Sequence, residues 1–594
     1  MQKSSAKLLN NPYGQATFDL FRHDQRAFAD KSLMIKNLDD PAMSRYPVLL
    51  RPRRFGKSTF VRMLKCYYDL SYKDRYDELF SGTKIYEENL ESHNSYHVID
   101  IDFSSVSTNS RKNLVNSFFI AITDSIDDFK LRYPDFEFDY SDLDKSDSAV
   151  LLTEFTKAYR KYAQKQNLYL LIDEYDNFAN EILSSNLELF QNIISQDGFL
   201  KSFYSAVKNQ ANKTIAKTFI TGVSSVSLDS LTSGFNIADN VTDDKCFNEY
   251  AGFTEEELKD LIPQLVDVKA LGVSVKEIID RMKNVYDGYL FSPEAKHTVF
   301  NSSMCLYYLN KVKKKRKFLN PEDYLDPACD RDGYKLDQIF KLTQKDIVDD
   351  IIDTYLRDDV FYLKKLSQNI NLNKADEYYQ EQVLSILYYL GYLTINKINK
   401  EGSSDDELNL TVPNRYMSQL FRQCTINLKL KKNISFSKPE INLEPLLNNK
   451  TDISSFADSC TEFLSSIMNN QVLLHMNENA LNLALYAKLS NPKNNCIVEM
   501  EKALKICGKG EKFADLVIIV NKNKTNECIY LFELKYLTRT EASAKDNENN
   551  LKQLISKASL QVSEYKNAMD FKDKDVKAYV MIFAGPECIY CKMQ

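Results

Sequence analysis

The segment from residue 46 to residue 68 constrains the fold of this chain most strongly. A short apolar run of strand type, residues 46–50, comes first, and a stretch with apolar residues at helical spacing starts near Ser58. Between them lies Gly56-Lys57-Ser58, the second half of the phosphate-loop pattern G-x-x-x-x-G-K-[ST]. Such a loop works only between a strand and a helix, because N–H groups from both must converge on the phosphates. The segment therefore predicts a strand–loop–helix unit that binds a nucleotide.

The loop departs from the standard pattern at its first position, where Arg51 replaces a glycine. Lys57 is still expected to reach the β- and γ-phosphates of ATP, and Ser58 to bind Mg²⁺. A chance Gly-Lys-Ser is the alternative, so the assignment depends on a second motif. The remaining predicted nucleotide contacts in this segment are Arg54, Phe55, Gly56 and Thr59.

The second motif is an apolar run, residues 167–172, that ends in Asp173 and Glu174. A nucleotide hydrolase needs such an acidic strand end to hold the metal and to orient water. Asp173 is expected to bind Mg²⁺, directly or through water, and Glu174 to be the base that activates the attacking water. Taken alone, the segment also fits a buried strand that ends in an exposed acidic turn.

Two more apolar runs, residues 96–105 and 216–225, complete the predicted sheet. Helical segments separate the four runs, which is the order of a parallel α/β sheet covered on both faces, with ATP at the C-terminal strand ends. Thr221 lies near the end of the last run. Additional-strand ATPases place a γ-phosphate sensor there, and an ordinary strand-capping threonine is the alternative.

Composition excludes several classes of protein. At 594 residues the chain is too long for one hydrophobic core, and about 150 residues per domain predicts three or four domains. The 77 basic and 83 acidic residues give 77 − 83 = −6, so any nucleic-acid contact must come from a local patch. Eleven scattered cysteines favour reduced thiols in the cytoplasm, and Cys588 and Cys591 lack a second pair at zinc spacing. No apolar run reaches the roughly 18 residues of a membrane span, so no membrane association is expected.

Residues 250–400 have apolar residues at helical spacing and predict a helical lid, in which Thr254 and Glu257 form a capping-box start. The basic run 313–317 is interpreted as a solvated helix end in preference to a phosphate-contacting patch.

Further on, residues 378–398 pass from a helix into a strand, and residues 408–414 form a second strand. A helix followed by a β-hairpin is typical of a winged helix.

The hairpin tip of that winged-helix-like region, residues 399–407, is acidic. Acidic side chains repel the phosphates of DNA, so a wing that serves structure or oligomerisation is at least as well supported as one that contacts nucleic acid.

The C-terminal region carries a second chemistry. Residues 513–520 and 528–537 read as two strands joined by a turn. In an antiparallel pair, Asp515 at the start of the first lies beside Glu533 at the end of the second, and Lys535 shares the face of Glu533. Two carboxylates that hold Mg²⁺ and a lysine that orients water are what metal-assisted phosphodiester hydrolysis requires. A surface hairpin is the alternative.

Six segments together resemble the AAA-ATPase-like proteins that carry a C-terminal PD-(D/E)XK nuclease-like domain. They are RPRRFGKST, LIDEYD, FITGVSSVSLDSLTSGFNIADN, GFTEEEL, VYDGYLF and GYLTI. The loop of this family typically reads Arg-Pro-Arg-Arg-Phe-Gly-Lys-Thr/Ser, so Arg51 follows the family pattern. The chain departs from the family at Val285, where a tryptophan is expected, and at Ser302, where Asn-Pro is usual. Both departures concern packing of the middle region.

The resemblance implies an α/β multidomain protein with a P-loop NTPase parallel sheet, a helical and winged-helix-like middle region, and a restriction-endonuclease-like α/β domain. The expected boundaries are 1–250, 251–432 and 453–594. In the last domain, Phe-Ala-Asp takes the place of Pro-Asp, and Phe-Glu-Leu-Lys supplies the Glu-x-Lys. A preceding helix offers Glu478 as a further metal ligand, with Glu501 as its rival, and a following helix offers Gln561 as a phosphate contact.

The function implied is an ATPase coupled to a Mg²⁺-dependent nuclease, with DNA favoured over RNA as the substrate, and a homo-oligomer is left open. An ATP-driven regulatory switch, whose C-terminal domain binds nucleic acid or protein without cutting, is the alternative. A nuclease fold that has lost activity belongs to the same alternative. A small-molecule kinase is disfavoured because Glu174 follows Asp173 as it does in hydrolases.

Overall fold

The computed structural model of the chain divides into two compact units. The first contains Met1–Val348 and Val360–Leu420, and the second contains Asp349–Asp359 and Phe421–Gln594. The residues that the structure describes are 8–163, 167–183, 198–211, 213–225, 234–319, 321, 325–326, 330–357, 359–367, 370, 379–397, 408–430, 439–468, 477–490, 496–506, 510–521, 527–542, 547–568, 571 and 574–594.

The first unit is built on a parallel sheet of five strands. The strands are β1 (Pro47–Leu50), β2 (Tyr96–Asp102), β3 (Asn167–Asp173), β4 (Ile215–Gly222) and β5 (Asp239–Asn240). They lie in the order β2-β3-β4-β1-β5, and all neighbours are parallel. Both faces are covered, because consecutive residues of β1 and nearly all of β3 are buried. The predicted parallel α/β sheet is confirmed.

Helices connect and cover these strands. In chain order they are α1 (Phe18–His23), α2 (Met34–Leu38), α3 (Lys57–Tyr68), α4 (Tyr76–Phe80), α5 (Lys84–Glu88), α6 (Arg111–Arg132), α7 (Ser148–Ala163), α8 (Asn177–Leu183) and α9 (Gly198–Gln210). The apolar residues of α3 at helical spacing are buried, among them Phe60, Met63 and Leu64. The strand–loop–helix unit predicted from the sequence is therefore present.

The middle region is mainly helical, as expected. Its helices are α10 (Glu255–Leu265), α11 (Val268–Leu271), α12 (Val275–Tyr286), α13 (Ser302–Lys315), α14 (Asp330–Leu342), α15 (Lys345–Arg357), α16 (Tyr379–Tyr389) and α17 (Arg415–Thr425). Thr254 and Glu257 form the predicted capping box at the start of α10. The basic run coincides with the end of α13, where Arg316 adopts a left-handed φ of 50°. Val285 is buried in α12, and Ser302 begins α13.

The middle region also contains a small antiparallel sheet. It contains β6 (Phe361–Leu363), β7 (Thr394–Ile395) and β8 (Leu408–Thr411), in the order β6-β8-β7. The pairing of β7 with β8 after α16 is the helix–hairpin succession predicted for this segment. The acidic tip at 399–407 lies outside the described residues.

The second unit is built on a mixed sheet of five strands. They are β9 (Cys496–Ile506), β10 (Gly510–Val520), β11 (Cys528–Leu537), β12 (Asp575–Ala584) and β13 (Glu587–Met593), in the order β13-β12-β11-β10-β9. Only the pair β11 and β12 is parallel. The helices of this unit are α18 (Glu444–Leu447), α19 (Ser454–Met468), α20 (Glu478–Leu489), α21 (Arg539–Ala542) and α22 (Asn547–Lys566).

The two faces of the mixed sheet bury two separate cores. One face packs on α19 and α20 through residues such as Phe456, Leu481 and Phe532. The other face packs on α22 through residues such as Leu531 and Val562. Because residues alternate between the two faces, Leu534 faces the first core, while Glu533 lies on the side of α22.

Two findings concern the environment of the chain. Among the described residues, no helix combines the length and the apolar content that a bilayer span requires. No disulfide joins any of the described cysteines, and Cys588 and Cys591 are free thiols.

Candidate functional site

The first candidate site lies at the C-terminal edge of the parallel sheet. The loop between β1 and α3 contains Gly56 with φ 92° and Arg54 with φ 71°, both left-handed. Glycine adopts this conformation without the steric cost that a Cβ imposes, which explains its place at the N-cap of α3. Since β4 separates β1 from β3, this is the strand order of an ATPase with an additional strand.

Lys57 and Glu174 lie in direct contact at this edge. The Lys57 Nζ is 3.3 Å from Glu174 Oε1 and donates a hydrogen bond of 3.3 Å to the Pro52 carbonyl oxygen. The Lys57 side chain is only 3% exposed. Glu174 follows β3 with a left-handed φ of 53°, and its N–H donates to Asp173 Oδ1 at 2.9 Å. The structure thus brings the lysine of the loop and the acids of β3 together.

Asp173 is buried and has an unusual pKa. Burial and then the charge of Glu174 raise this pKa to about 7, against a hydrogen bond from the Ser58 hydroxyl that lowers it. Its Oδ2 is buried and finds no hydrogen-bond partner among the described residues. A hydroxyl and a carboxylate with a spare oxygen are ligands that Mg²⁺ accepts, so Ser58 and Asp173 fit a magnesium ion.

Arg51 lies in the protein interior, where its side chain binds backbone carbonyl oxygens. The side chain is 1% exposed. Its guanidinium donates hydrogen bonds of 2.7–2.8 Å to the carbonyl oxygens of Leu50, Thr242 and Phe247. It also lies 4.3 Å from the centre of the Phe291 ring, within range of a cation–π interaction. At the position of the first glycine, this arginine therefore fastens the end of β1 to the segment that follows β5.

Arg53 and Arg54 point to different partners. The Arg53 guanidinium donates to Asn177 Oδ1 at 2.7 Å. Arg54 forms a two-point ion pair with Asp332 of α14, with distances of 3.0 and 3.1 Å. Lys335 of the same helix lies close enough that burial, followed by the charge of Arg53, lowers its pKa to about 8. Asp332 was not predicted, because nothing in the sequence around it marks a partner 278 residues away from Arg54.

Thr221 lies at the tip of β4 as expected, but its hydroxyl is already bonded. The residue is fully buried, and its Oγ1 donates to the Leu49 carbonyl oxygen at 2.6 Å. Tyr250 Oη lies 3.2 Å from Thr221 Oγ1. This is the geometry of a strand-bridging threonine in the structure as it stands, and the sensor role stays a prediction.

An apolar cavity of 120 Å³ adjoins the loop. Gly56 and Thr59 line it on the loop side, and Phe55 forms part of the same wall. The wall opposite is mainly aromatic and comes from α1 and its surroundings, from the segment after β5 and from the N-terminal segment, including Tyr13, Phe18, Phe28 and Phe253. This cavity could not be predicted from the sequence, because its walls come from segments nearly 200 residues apart.

The second candidate site lies in the mixed sheet. Pairing of β10 with β11 places Leu516 opposite Phe532, so Asp515 and Glu533 are neighbours across the strands, as predicted. The Lys535 Nζ lies 2.9 Å from Glu533, 2.8 Å from Glu478 and 3.8 Å from Asp515. The Leu534 N–H donates to Asp515 Oδ2 at 2.7 Å. Three carboxylates therefore surround one ammonium group.

The pKa values of this cluster reflect burial and mutual charge. Burial and then the charge of Glu533 raise the pKa of Asp515 to about 8. Burial also raises the pKa of Glu533, whose side chain is 2% exposed. Burial alone lowers the pKa of Lys535, but the charges of the three carboxylates outweigh it and the pKa is raised.

The two rival carboxylates have different surroundings. Glu478, at the start of α20, contacts Lys535, whereas Glu501 pairs with Arg422.

Gln561 of α22 hydrogen-bonds to the hydroxyl of Tyr565, which in turn interacts with Glu533. Tyr565 was not predicted from the sequence, although it shares a face of α22 with Gln561 at i+4 spacing.

The fit of the second site to a metal is partial. Within the described ranges, no group of three or more potential ligands has metal-holding geometry. The Lys535 ammonium occupies the space between the carboxylates, and the Glu533 Oε2 is buried without a partner in the described part of the chain. Asp515 and Glu533 offer carboxylate oxygens, which are ligands that a divalent cation accepts, but Lys535 contacts both of them in this structure.

Comparisons with known proteins match two regions of the chain to family models. Residues 12–232 match the family model described as "Predicted AAA-ATPase", and residues 477–593 match the model of the PD-(D/E)XK nuclease superfamily. No curated protein matches the chain. Among solved structures, the chain is similar to the Walker-type ATPase paby2304 of Pyrococcus abyssi. The identity is 11% and the TM-score 0.38, covering 66% of this chain and 96% of that chain.

The sheet order and the loop geometry define the first unit as a P-loop NTPase fold of the α/β class. With the two family matches, the chain is a protein with an AAA-ATPase-like region followed by a PD-(D/E)XK nuclease-like region, as the resemblance implied.

Proposed function

We propose that this protein binds and hydrolyses ATP and uses it to control a metal-dependent nuclease that acts on DNA or RNA. One observation carries the proposal: each family-matched region brings a lysine into contact with a carboxylate. Lys57 contacts Glu174, just after β3, and Lys535 contacts Glu533, within β11. We place the boundaries of its domains at 1–250, 251–432 and 453–594. We also place the protein in the cytoplasm, with DNA favoured as the substrate, and leave a homo-oligomer open.

At the first site, the roles follow from position. Lys57 leaves Glu174 to bind the β- and γ-phosphates, and Arg54, Phe55, Gly56 and Thr59 complete the loop around the nucleotide. Ser58 and Asp173 would hold Mg²⁺, which neutralises phosphate charge when bound. Glu174, once released from Lys57, accepts the proton of the attacking water. Thr221 would sense the γ-phosphate after its hydroxyl turns from Leu49.

The nucleobase of ATP has a place in the cavity beside the loop. The phosphates bind at Gly56 and Lys57, so the nucleoside extends toward the neighbouring wall formed by Thr59. A planar base suits a pocket whose walls are aromatic, because ring stacking adds to burial of apolar area. The cavity of 120 Å³ is small for a base and ribose together, and we expect its aromatic walls to open on binding.

At the second site, Asp515, Glu533 and Glu478 would hold Mg²⁺, which polarises the phosphodiester when bound. Lys535, displaced from between the carboxylates, orients the attacking water or stabilises the developing negative charge. Gln561 would contact a phosphate through its amide, in place of the Tyr565 hydroxyl. Burial of Glu533 favours this reading over a surface hairpin, since a carboxylate on a surface hairpin would stay in water, where its charge costs least.

The second candidate function is a regulatory switch that binds nucleic acid or protein without cleavage. One observation favours it: the Lys535 ammonium lies 2.8–3.8 Å from all three carboxylates and offsets part of their charge. The discriminating property is cleavage itself.

The experiment measures ATP hydrolysis and nucleic-acid cleavage in one preparation, for the wild type and for Lys57→Ala. The proposal expects ATP turnover to be lost in Lys57→Ala and ATP to alter cleavage only in the wild type. Lys73→Ala, an exposed lysine just beyond α3, is the control. Turnover unaffected by Lys57→Ala would refute the ATPase, and cleavage that never responds to ATP would refute the coupling.

A further inference from the structure

The turn after β3, residues 174–176, is hydrogen-bonded to the end of β4. The bonds are made by the last two residues of the turn, Tyr175 and Asp176. The Tyr175 N–H donates to the Thr221 carbonyl oxygen at 3.2 Å. The Tyr175 hydroxyl donates to the Ser224 carbonyl oxygen at 2.6 Å. Both tyrosine contacts reach across to the neighbouring strand, so the turn cannot move independently of β4.

Asp176 makes the stronger attachment. Its Oδ1 accepts the Val223 N–H at 2.9 Å, and its Oδ2 accepts the Ser224 N–H at 2.6 Å. The Ser224 hydroxyl, at 2.9 Å, and the Asn180 amide, at 2.5 Å, also approach Oδ2. Asp176 is fully buried, and two backbone N–H groups match both oxygens of its carboxylate.

Gly222 allows the close approach of the turn to β4. A Cβ at this position would lie 2.3 Å from Asp176 Oδ1 and 2.4 Å from the Tyr175 ring. Such distances leave no room for any side chain. The end of β4 is therefore shaped to receive Tyr175 and Asp176.

The consequence falls on Glu174, which immediately precedes the fastened pair. Its φ of 53° is left-handed, a conformation that a glutamate seldom adopts unless its surroundings impose it. The Tyr175 and Asp176 contacts fix the chain on one side, and β3 fixes it on the other. This backbone conformation is the one in which the Glu174 carboxylate lies 3.3 Å from Lys57.

We propose that Asp176 is a positioning residue for ATP hydrolysis. Its hydrogen bonds to the end of β4 hold Glu174 in the left-handed conformation that directs the Glu174 carboxylate to the phosphate site. This inference rests on the proposed ATPase function. Asp176 is fully buried against the end of β4, so it would act through Glu174 alone. ATP binding should therefore be independent of Asp176, whereas the hydrolytic step depends on it.

The test compares Asp176→Asn with the wild type in steady-state ATP hydrolysis and in nucleotide binding. Asparagine keeps the size of the side chain but turns a donor toward a backbone N–H. We expect kcat to fall about 100-fold, as misplacement of a reacting group by about 1 Å does, with the Kd for ATP changed less than threefold. Asp69→Asn is the control, since Asp69 is a buried carboxylate paired with Arg132 at the opposite edge of the sheet.

A second comparison separates positioning from mere stabilisation. In a Glu174→Gln background the base is already absent, so adding Asp176→Asn should lower single-turnover hydrolysis by less than twofold further. A structural role would instead lower hydrolysis by the same factor in both backgrounds, and that result would overturn the proposal. Thermal unfolding of the four proteins shows whether their stabilities differ in parallel.

Tyr175→Phe decides the matter if Asp176→Asn does not fold. This change removes the hydroxyl bond to Ser224, and we expect kcat to fall about fivefold with the Kd for ATP unchanged. An unchanged kcat would overturn the proposal. Failure of the proposed function looks different, since the wild type itself would then turn over no more ATP than Lys57→Ala.

Discussion

The ammonium of Lys57 lies 3.3 Å from the carboxylate of Glu174, so the phosphate-loop lysine and the first acid after Asp173 are an ion pair. Only 3% of the lysine side chain is exposed. A buried ammonium needs a counter-charge, and Glu174 supplies it. Under our account, the phosphates of ATP replace Glu174 as that counter-charge and release it for catalysis.

The first prediction concerns this exchange. Glu174→Gln removes the competing charge, so we expect ATP to bind several-fold more tightly while hydrolysis falls at least about 100-fold, the contribution typical of a general base. Isothermal titration with ATP and a phosphate-release assay measure the two effects. Glu181→Gln, on the helix that follows, is the control. Weaker ATP binding by Glu174→Gln would contradict the account.

The second prediction concerns the first position of the loop. Arg51→Gly restores the standard glycine, yet it leaves three buried carbonyl oxygens without their donor. We expect the free energy of unfolding to fall by at least about 4.5 kcal/mol, because three bonds to a charged donor are lost and each is worth about 1.5–3 kcal/mol. Urea unfolding followed by circular dichroism measures the loss, with Arg45→Ala as an exposed control. A protein of unchanged or greater stability would show that Arg51 is dispensable.

The sequence predicted the first site well where the chemistry is local. The strand, the loop and the helix at 46–68 could be read from apolar spacing, and the acids of β3 from their place after a buried run. Arg51 shows the limit. Its pattern was recognised through resemblance, but its partners Thr242 and Phe247 lie nearly 200 residues away, and only folding brings them to the guanidinium.

The third prediction separates the two rival carboxylates of the second site. Glu478→Gln removes a charge that contacts Lys535, so we expect the metal concentration needed for half-maximal cleavage to rise about tenfold. Glu501→Gln breaks only the pair with Arg422, and we expect cleavage to stay within twofold of the wild type. A metal titration of nuclease activity compares them. The opposite ranking would make Glu501 the metal ligand.

The fourth prediction is a pH dependence that originates in Asp515. Its pKa is raised from 3.8 to about 8, so between these values the folded chain holds a proton that the unfolded chain has lost. In the absence of metal, the contribution of Asp515 to the free energy of unfolding should therefore be greatest below pH 3.8. It should decrease as the pH rises and level off above about 8. The measurement is the difference in unfolding free energy between the wild type and Asp515→Asn from pH 5 to pH 9.

Metal binding should follow the opposite course, because a metal ligand must be deprotonated. We expect the affinity for Mg²⁺ or Mn²⁺ to increase up to about pH 8 and then to level off. A wild-type stability that runs parallel to that of Asp515→Asn over the whole range would show that the pKa of Asp515 is ordinary.

At the second site, the neighbouring positions of Asp515 and Glu533 followed from the period of two and from antiparallel pairing. The burial of Glu533 did not, because it depends on α22, whose Tyr565 packs over that face of the sheet. The sequence favoured Glu478 over its rival Glu501, but it could not decide between them. It depends on which carboxylate the fold carries to Lys535, and this is a matter of three-dimensional packing.

The most direct test of the central claim is cleavage of single-stranded DNA, duplex DNA and RNA in Mg²⁺ or Mn²⁺, with and without ATP, by the wild type and by Asp515→Asn. Glu587→Gln, an exposed carboxylate at the start of β13, is the matched control. The account predicts metal-dependent cleavage of at least one substrate by the wild type and the control, a response of that cleavage to ATP, and loss of cleavage in Asp515→Asn. Cleavage by the wild type no greater than that by Asp515→Asn on all three substrates would contradict it.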